Sequence, residues 1–303
     1  MKTPDHTLAF ASIATADHVT LAVGALQSIR AQYPGAAFTL LLVDADRNPS
    51  LPDWIRALPL HRCIDDAQLR AMRRRYKPAE LCFAAKPFLL RHVLETGAPQ
   101  AHYFDADCRI FAPLSPMIEQ LAAADLLLTP HALSPIPDDG RSPKPLTVLR
   151  AGAFNGGYIG VRNTADGRGF ARWLSEMTTA HARNAPKLGM CGDQRWLDLA
   201  PALFPGTAIC RHRGANVAYW NLHERRLDEA SGSVTVDGAP LLFFHFSGFD
   251  PDRPLELSRH QDRITVVPGS PLHRLLERYA PRKSSAKQTS RLEGFLANAM
   301  GRA

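Results

Sequence analysis

Apolar positions in the N-terminal half alternate between two spacings. Residues 7–13 (TLAFASI) form a nearly unbroken apolar run, which predicts a strand, and residues 19–33 place Val19, Val23, Leu26 and Ile29 on one side of a helix. Pro34-Gly35 ends that helix, and 38–43 (FTLLLV) predicts a second, fully buried strand. Apolar strands joined through helices predict an α/β domain with a mostly parallel sheet covered on both faces. Ligands of such a sheet bind beyond the carboxyl ends of its strands. Residues 65–96 predict two helices meeting near Lys77-Pro78, and 101–104 a short strand that runs into Asp105. A strand at 126–129 leads to 131–150, a stretch with four prolines that reads as a long loop of functional character. Then come a strand at 157–162, a helix near 167–180 and a second helix opening at Asp193. Residues 226–246 predict a hairpin turning at Asp237-Gly238 and a buried strand, LLFFHF. The pattern weakens after residue 270, which divides the chain into a domain at 1–270 and a tail at 271–303.

The bulk properties narrow the class. A chain of 303 residues, 45% apolar and 21% charged, suits a soluble globular enzyme with one large α/β domain or two small ones. No apolar run approaches the ~20 residues of a membrane span, and the N-terminus lacks the unbroken apolar core of a signal peptide, so a cytoplasmic protein is expected. Five cysteines with no CxxC pair point to reduced thiols rather than disulfides or a structural zinc site. A net charge of +7 suits a polyanionic partner: nucleotide phosphates, an anionic membrane surface or nucleic acid. The densest basic cluster, Arg70, Arg73, Arg74, Arg75 and Lys77, has neither a recognition fold nor interleaved aromatics beside it. A nucleic-acid-binding protein is therefore the non-enzymatic alternative, and no nucleic-acid partner is expected.

The sharpest chemical feature is Tyr103-Phe104-Asp105-Ala106-Asp107. A strand that ends in two acids one residue apart concentrates negative charge, which repels itself unless a cation neutralises it. A divalent metal does so and also bridges to the oxygens of a diphosphate. The competing reading is a solvated acidic turn. Far downstream, His245 sits in the apolar strand just before Ser247-Gly248. It reads either as a satisfied core histidine or as a metal ligand, and two carboxylates with one imidazole suit Mn2+ better than Ca2+.

Five motifs follow one another along the chain: YFDADCRIFAPL, Phe154-Asn155-Gly156-Gly157-Tyr158, Gly192-Asp193-Gln194, Trp220-Asn221 and His245-Phe246-Ser247-Gly248. In this order and spacing the chain resembles the retaining GT-A glycosyltransferases that include glycogenin and bacterial lipopolysaccharide galactosyltransferases. The resemblance implies a GT-A, Rossmann-like nucleotide-sugar-binding domain with a mostly parallel mixed sheet and a basic helical C-terminal tail. It further implies Asp105, Asp107 and His245 as ligands of Mn2+ or Mg2+, and Thr15 and Asp17 near the base and ribose of a UDP-sugar. Lys86, Asp105, Ala106, Asn155 and Gly248 would contact the donor, with Asp193 and Gln194 along its sugar and Gln194 closest to the anomeric carbon. Lys86 could equally be a surface lysine, and Asp193 a helix N-cap. The family's lysine after His-x-x-Gly is absent here, so the diphosphate contact falls to another cation, Arg253 or Arg259. The runs at 218–225 and 245–251 point to a bacterial branch that makes surface polysaccharide.

The implied reaction transfers a sugar to a glycan or lipid-linked acceptor. An inverting enzyme with Asp193 or Glu224 as general base, and a sugar nucleotidyltransferase, are the enzymatic alternatives. The tail at 281–303 carries five basic residues and one acid, and Leu292, Phe295, Leu296, Ala299 and Met300 share a helical face. That composition reads as a peripheral membrane anchor, a disordered basic tail or a helix packed on the domain.

Overall fold

A computed structural model describes residues 8–44, 50–230 and 232–279. The membrane-anchor reading of 281–303 falls outside the described residues. In chain order the strands are β1 (Leu8–Ala14), β2 (Ala37–Leu42), β3 (Arg56–Pro59), β4 (Gln100–Phe104), β5 (Cys108–Ile110), β6 (Leu126–Pro130), β7 (Phe154–Arg162), β8 (Asn184–Ala185), β9 (Met190–Cys191), β10 (Thr207–Ile209), β11 (Leu227–Ala230), β12 (Ser233–Val236), β13 (Ala239–Pro240) and β14 (Phe243–His245). The α-helices are α1 (Val19–Arg30), α2 (Asp66–Arg75), α3 (Pro78–Glu95), α4 (Ser115–Ala122), α5 (Pro145–Ala151), α6 (Ala165–Ala180), α7 (Ala200–Leu203) and α8 (Pro271–Tyr279).

Seven strands form the central sheet in the order β10-β6-β7-β4-β1-β2-β3. β7 pairs antiparallel with both β4 and β6, and the remaining pairs are parallel. β1 is buried along its whole length because it lies inside the sheet under helices on both faces. Its alternate residues divide between two cores: Ala9, Ala11 and Ile13 face the side packed by α3 and α6, and Phe10 faces α1. Small residues on one face admit α3 closely, and Phe10 fills the other beside Phe38, Tyr33 and Phe104. Apolar burial on this scale is the main stabilising term of the fold, at ~25 cal/mol per Å2 removed from water.

The decisive local feature is the link after β4. Asp105-Ala106-Asp107 connects β4 to β5, and β5 pairs antiparallel with β14 so that Cys108 lies opposite His245. Strand pairing thus brings the two acids and the histidine together from positions far apart in sequence.

The structure departs from the sequence reading at several elements. β7 begins at Phe154 rather than 157, so Asn155-Gly156-Gly157 belongs to the strand. The stretch 131–150 is not all loop: Pro145 opens α5, where a missing N–H costs nothing. The helix expected at Asp193 is a 3-10 helix, Gln194–Leu199. Helix α8 packs Leu272, Leu275 and Leu276 against Val234, Val236 and Phe244, and Tyr279 stacks on Phe246 with ring centroids 3.8 Å apart. No helix among the described residues is long and apolar enough to cross a membrane.

Candidate active site

A cleft of about 380 Å3 opens at the carboxyl ends of β1 and β4. Thr15, Lys86, Asp105, Ala106, Asp107 and Gly248 line it. Asn155, Asp193, Gln194 and His245 join it from behind through the contacts given below. Asp17 is exposed on the 3-10 turn after β1 and is not among the lining residues. That turn is tied down by Asp44, whose carboxylate accepts the Ala16 N–H at 2.8 Å.

Lys86 is the electrostatic centre of the cleft. It is buried in the middle of α3, and its Nζ lies 3.1 Å from Asp105 Oδ1 and 3.4 Å from Asp193 Oδ1. It also donates to the Gly156 carbonyl at 2.8 Å. Burial alone would lower its pKa, but the two carboxylates outweigh that and hold the ammonium charged. Burial has the larger hand on Asp193 and raises its carboxyl to about 6, against the pull of Lys86. Asp193 makes no side-chain cap to the helix it precedes. One of its oxygens, Oδ2, is buried with no hydrogen-bond partner among the described residues. A buried acceptor left unpaired costs stability unless a further partner supplies a hydrogen bond.

The strand pair places Asp107 Oδ1 3.0 Å from His245 Nε2, and Asp105 Oδ2 4.0 Å from the same nitrogen. On the far side of the ring, Nδ1 lies 3.2 Å from Asn155 Oδ1, which fixes the imidazole orientation. Burial would lower the His245 pKa, yet Asp107 and Cys108 raise it well above the ordinary histidine range. Asp107 is lowered by His245 in spite of its burial. Gly157 has no side chain because a Cβ there would run into the His245 ring and the Asn155 side-chain oxygen. Asp107, Cys108 and His245 bring one potential ligand atom each within 4.8 Å of one another. An imidazole held by its other nitrogen, with Nε2 turned to two carboxylates, is a donor set that fits a divalent metal. Asp105 divides its carboxylate: Oδ1 takes Lys86 and the Tyr103 hydroxyl at 2.5 Å, leaving Oδ2 toward His245.

A second network lies behind the first. Gln194 Oε1 accepts from Asn155 Nδ2 and the Gly156 N–H, both at 3.0 Å, while its Nε2 donates to the Ala151 carbonyl at 2.8 Å. Trp220 sets its ring edge-on to His245 and to His131. Asn221 donates to the His131 carbonyl at 2.9 Å. The Trp-Asn pair therefore clamps the site from outside rather than lining it. Glu224 is spent on structure, accepting from Leu133 N at 2.8 Å and Ser134 Oγ at 2.5 Å.

Of the two candidate cations, Arg259 lines the cleft beside Gly248 and Phe249, whereas Arg253 lies outside it and pairs with Glu256 at 3.4 Å. Sequence reasoning missed Tyr103, Cys108 and His131. Tyr103 shares a strand face with Asp105 by the two-residue period, a signal that was present. His131 carries no motif; only the fold brings its ring to Gly152 and Asn155.

No family model matches the chain. Two Bacillus subtilis relatives, the uncharacterized proteins YfnF and YfnD, align over 250 and 255 residues at 25% and 28% identity. Each alignment covers 80% of this chain, with 82% of YfnF and 78% of YfnD. Among solved structures, the galactosyltransferase LgtC, in complex with donor and acceptor sugar analogs, matches with a TM-score of 0.54 at 14% identity. That match spans 95% of this chain and 99% of LgtC. The fold is GT-A. Within the GT-A fold the cleft occupies the carboxyl edge of the sheet, where nucleotide ligands of α/β folds bind.

Proposed function

We propose that the protein is a metal-dependent glycosyltransferase that moves a sugar, with retention, from a nucleotide-sugar donor to a glycan or lipid-linked acceptor in bacterial surface-polysaccharide synthesis. A UDP-sugar is the donor of first choice. The observation that carries this reading is the convergence in one GT-A cleft of the Asp105–Asp107–His245 cluster with the Lys86–Asp193–Gln194–Asn155 network.

In this reading the base and ribose enter along Thr15, with Asp17 on the adjoining turn. The diphosphate lies over Asp105, Ala106, Asp107 and Gly248, where Arg259 supplies a cation. Asp105, Asp107 and His245 would hold Mn2+ or Mg2+, which neutralises charge growing on the leaving diphosphate. The donor sugar meets Asn155, Asp193 and Gln194. Asp193 Oδ2 is free to accept a sugar hydroxyl, and Lys86 keeps that carboxylate oriented. Gln194 is an amide and takes no proton; its oxygen accepts from Asn155 and Gly156, and one Nε2 hydrogen is left after the contact to Ala151. The oxocarbenium-like carbon is then held near the acceptor hydroxyl by position rather than by a nucleophile.

Retention is favoured over inversion because Glu224 is held by Leu133 and Ser134, and Asp193, paired with Lys86 through Oδ1, is assigned to a hydroxyl of the donor sugar rather than to the acceptor. The leaving phosphate is left as the proton acceptor. The test is a panel of nucleotide sugars assayed for nucleoside diphosphate release with Mn2+ and with EDTA, followed by NMR of the product anomer. Release from one or a few donors, only with metal, supports the reading. Pyrophosphate formation from a nucleoside triphosphate and a sugar phosphate, with no nucleotide-sugar turnover, overturns it in favour of a nucleotidyltransferase.

A further inference from the structure

The surface beside the sugar-transfer end of the cleft has a role in none of the chemistry above. Helix α5 buries no side chain, and it turns Leu146 and Leu149 to solvent at 50% and 68% exposure. Leu188 ends the 3-10 turn Pro186–Leu188, which packs against α5, and is 82% exposed. Exposed leucines scattered singly are ordinary. Leu146 and Leu149 are three residues apart on one helix, and Leu188 stands on the element that touches it, so the three make up one apolar patch on this rim in the proposal below.

The two segments that carry the patch hold charge of one sign. From Gly140 to Ala153 the chain carries Arg141, Lys144 and Arg150 and no acid, and from His181 to Gly192 it carries Arg183 and Lys187 and no acid. All five cations are exposed. Acids on adjoining segments are already engaged: Asp139 pairs with Arg263, Asp198 with Arg195, and Asp262 accepts the Ser142 N–H. Asp138 remains as an exposed acid at the margin.

The patch borders the reacting end of the site. Helix α5 ends at Ala151, whose carbonyl accepts from Gln194 Nε2, and the Leu188 turn leads through β9 into Gly192-Asp193-Gln194. We infer that this rim is a docking surface for an anionic lipid bilayer. The leucines enter the interfacial layer, and the long cationic side chains around them meet acidic headgroups. A second copy of the chain fits the rim poorly, since it would set five cations against five. A bilayer meets the patch without needing a shaped groove. The consequence for the acceptor, though not the docking, rests on the transferase reading: a lipid-linked acceptor in the same surface would bring its hydroxyl to Gln194.

The experiment is sedimentation of the full chain with vesicles of phosphatidylcholine alone and with phosphatidylglycerol added. It compares wild type, Leu149→Glu/Leu188→Glu, and a tail-neutral variant with Arg282, Lys283, Lys287 and Arg291 changed to Gln. Thermal unfolding and sedimentation velocity are run on each. The expected result is binding to the anionic vesicles only, weakened by salt, at least tenfold weaker in the double leucine variant at unchanged melting temperature, and retained by the tail-neutral variant. Should the double variant lose folding, Lys144→Glu/Lys187→Glu takes its place, with the same loss of binding expected. Wild-type binding by the leucine variants, loss in the tail-neutral variant alone, or a dimer that the leucine changes dissociate would each overturn the docking surface. Nucleotide-sugar turnover in vesicle-free solution is assayed in parallel. Its absence in wild type would sink the transferase reading and leave the docking result standing.

Discussion

Lys86 shows how much of the site depends on single residues. Its ammonium separates the buried Asp193 from the half-buried Asp105, so Lys86→Met leaves the two acids facing each other without a cation. Breaking a buried pair from one side costs about 3–5 kcal/mol, which urea unfolding of the variant should show; wild-type stability would contradict a charged Lys86. Gln194→Ala should act differently. Its contacts are to the strand and, in the proposed complex, to the sugar, so turnover should fall roughly a hundredfold while free nucleoside diphosphate binds within about twofold of wild type. Collapse of nucleotide affinity would place Gln194 elsewhere. Asp105, Asp107, Asn155 and His245 were legible as a set because short motifs mark them. The partnership of Lys86 with Asp193 was not legible, because α3 and the segment after β9 meet only in the folded chain. The N-cap reading of Asp193 fails for the same reason: its carboxylate turns inward to Lys86.

At the scale of elements, strands buried on both faces announced themselves. β1, β2, β4 and β6 stand close to the predicted bounds because continuous apolar runs require a covered sheet. β3 and β10 were invisible, being three or four residues long, half-buried and at the sheet edges. The start of β7 was hidden by glycines that the site itself demands. Gly157 leaves room for His245, and Gly156 sits 3.3 Å, measured to a would-be Cβ, from the Lys86 ammonium. Helix α8 matters beyond its size, since Tyr279 at its end lines the cleft. Leu275→Ala opens a cavity in the cluster beneath α8 and should cost about 2–5 kcal/mol in urea unfolding. A loss below about 1 kcal/mol would mean that α8 is not held by this core.

For the whole molecule, the α/β class followed from patterning, and so did a cleft at the carboxyl edge of the sheet. The long-range closure of β5 on β14 did not, because antiparallel pairing across the chain leaves no local trace. The interior also makes stability depend on pH. His102 is fully buried beside Tyr158, and burial lowers its pKa to about 3. Unfolded, the same imidazole takes up a proton near pH ~6.5. Below that pH the unfolded chain binds more protons than the folded one, so stability is full above ~6.5 and falls as pH drops toward 3, by at most ~1.4 kcal/mol per unit for this group. Melting temperature should decline through that window, and less steeply in His102→Gln; identical slopes would contradict a neutral buried His102. The central claim is that the acids after β4 and His245 prepare the cleft for the diphosphate of a nucleotide sugar through a divalent cation. Titration calorimetry of UDP with and without Mn2+, on wild type and Asp107→Ala, tests it most directly. The account predicts binding by wild type that depends on Mn2+ and is lost in Asp107→Ala at unchanged fold; equal UDP affinity in EDTA, or in the variant, would contradict it.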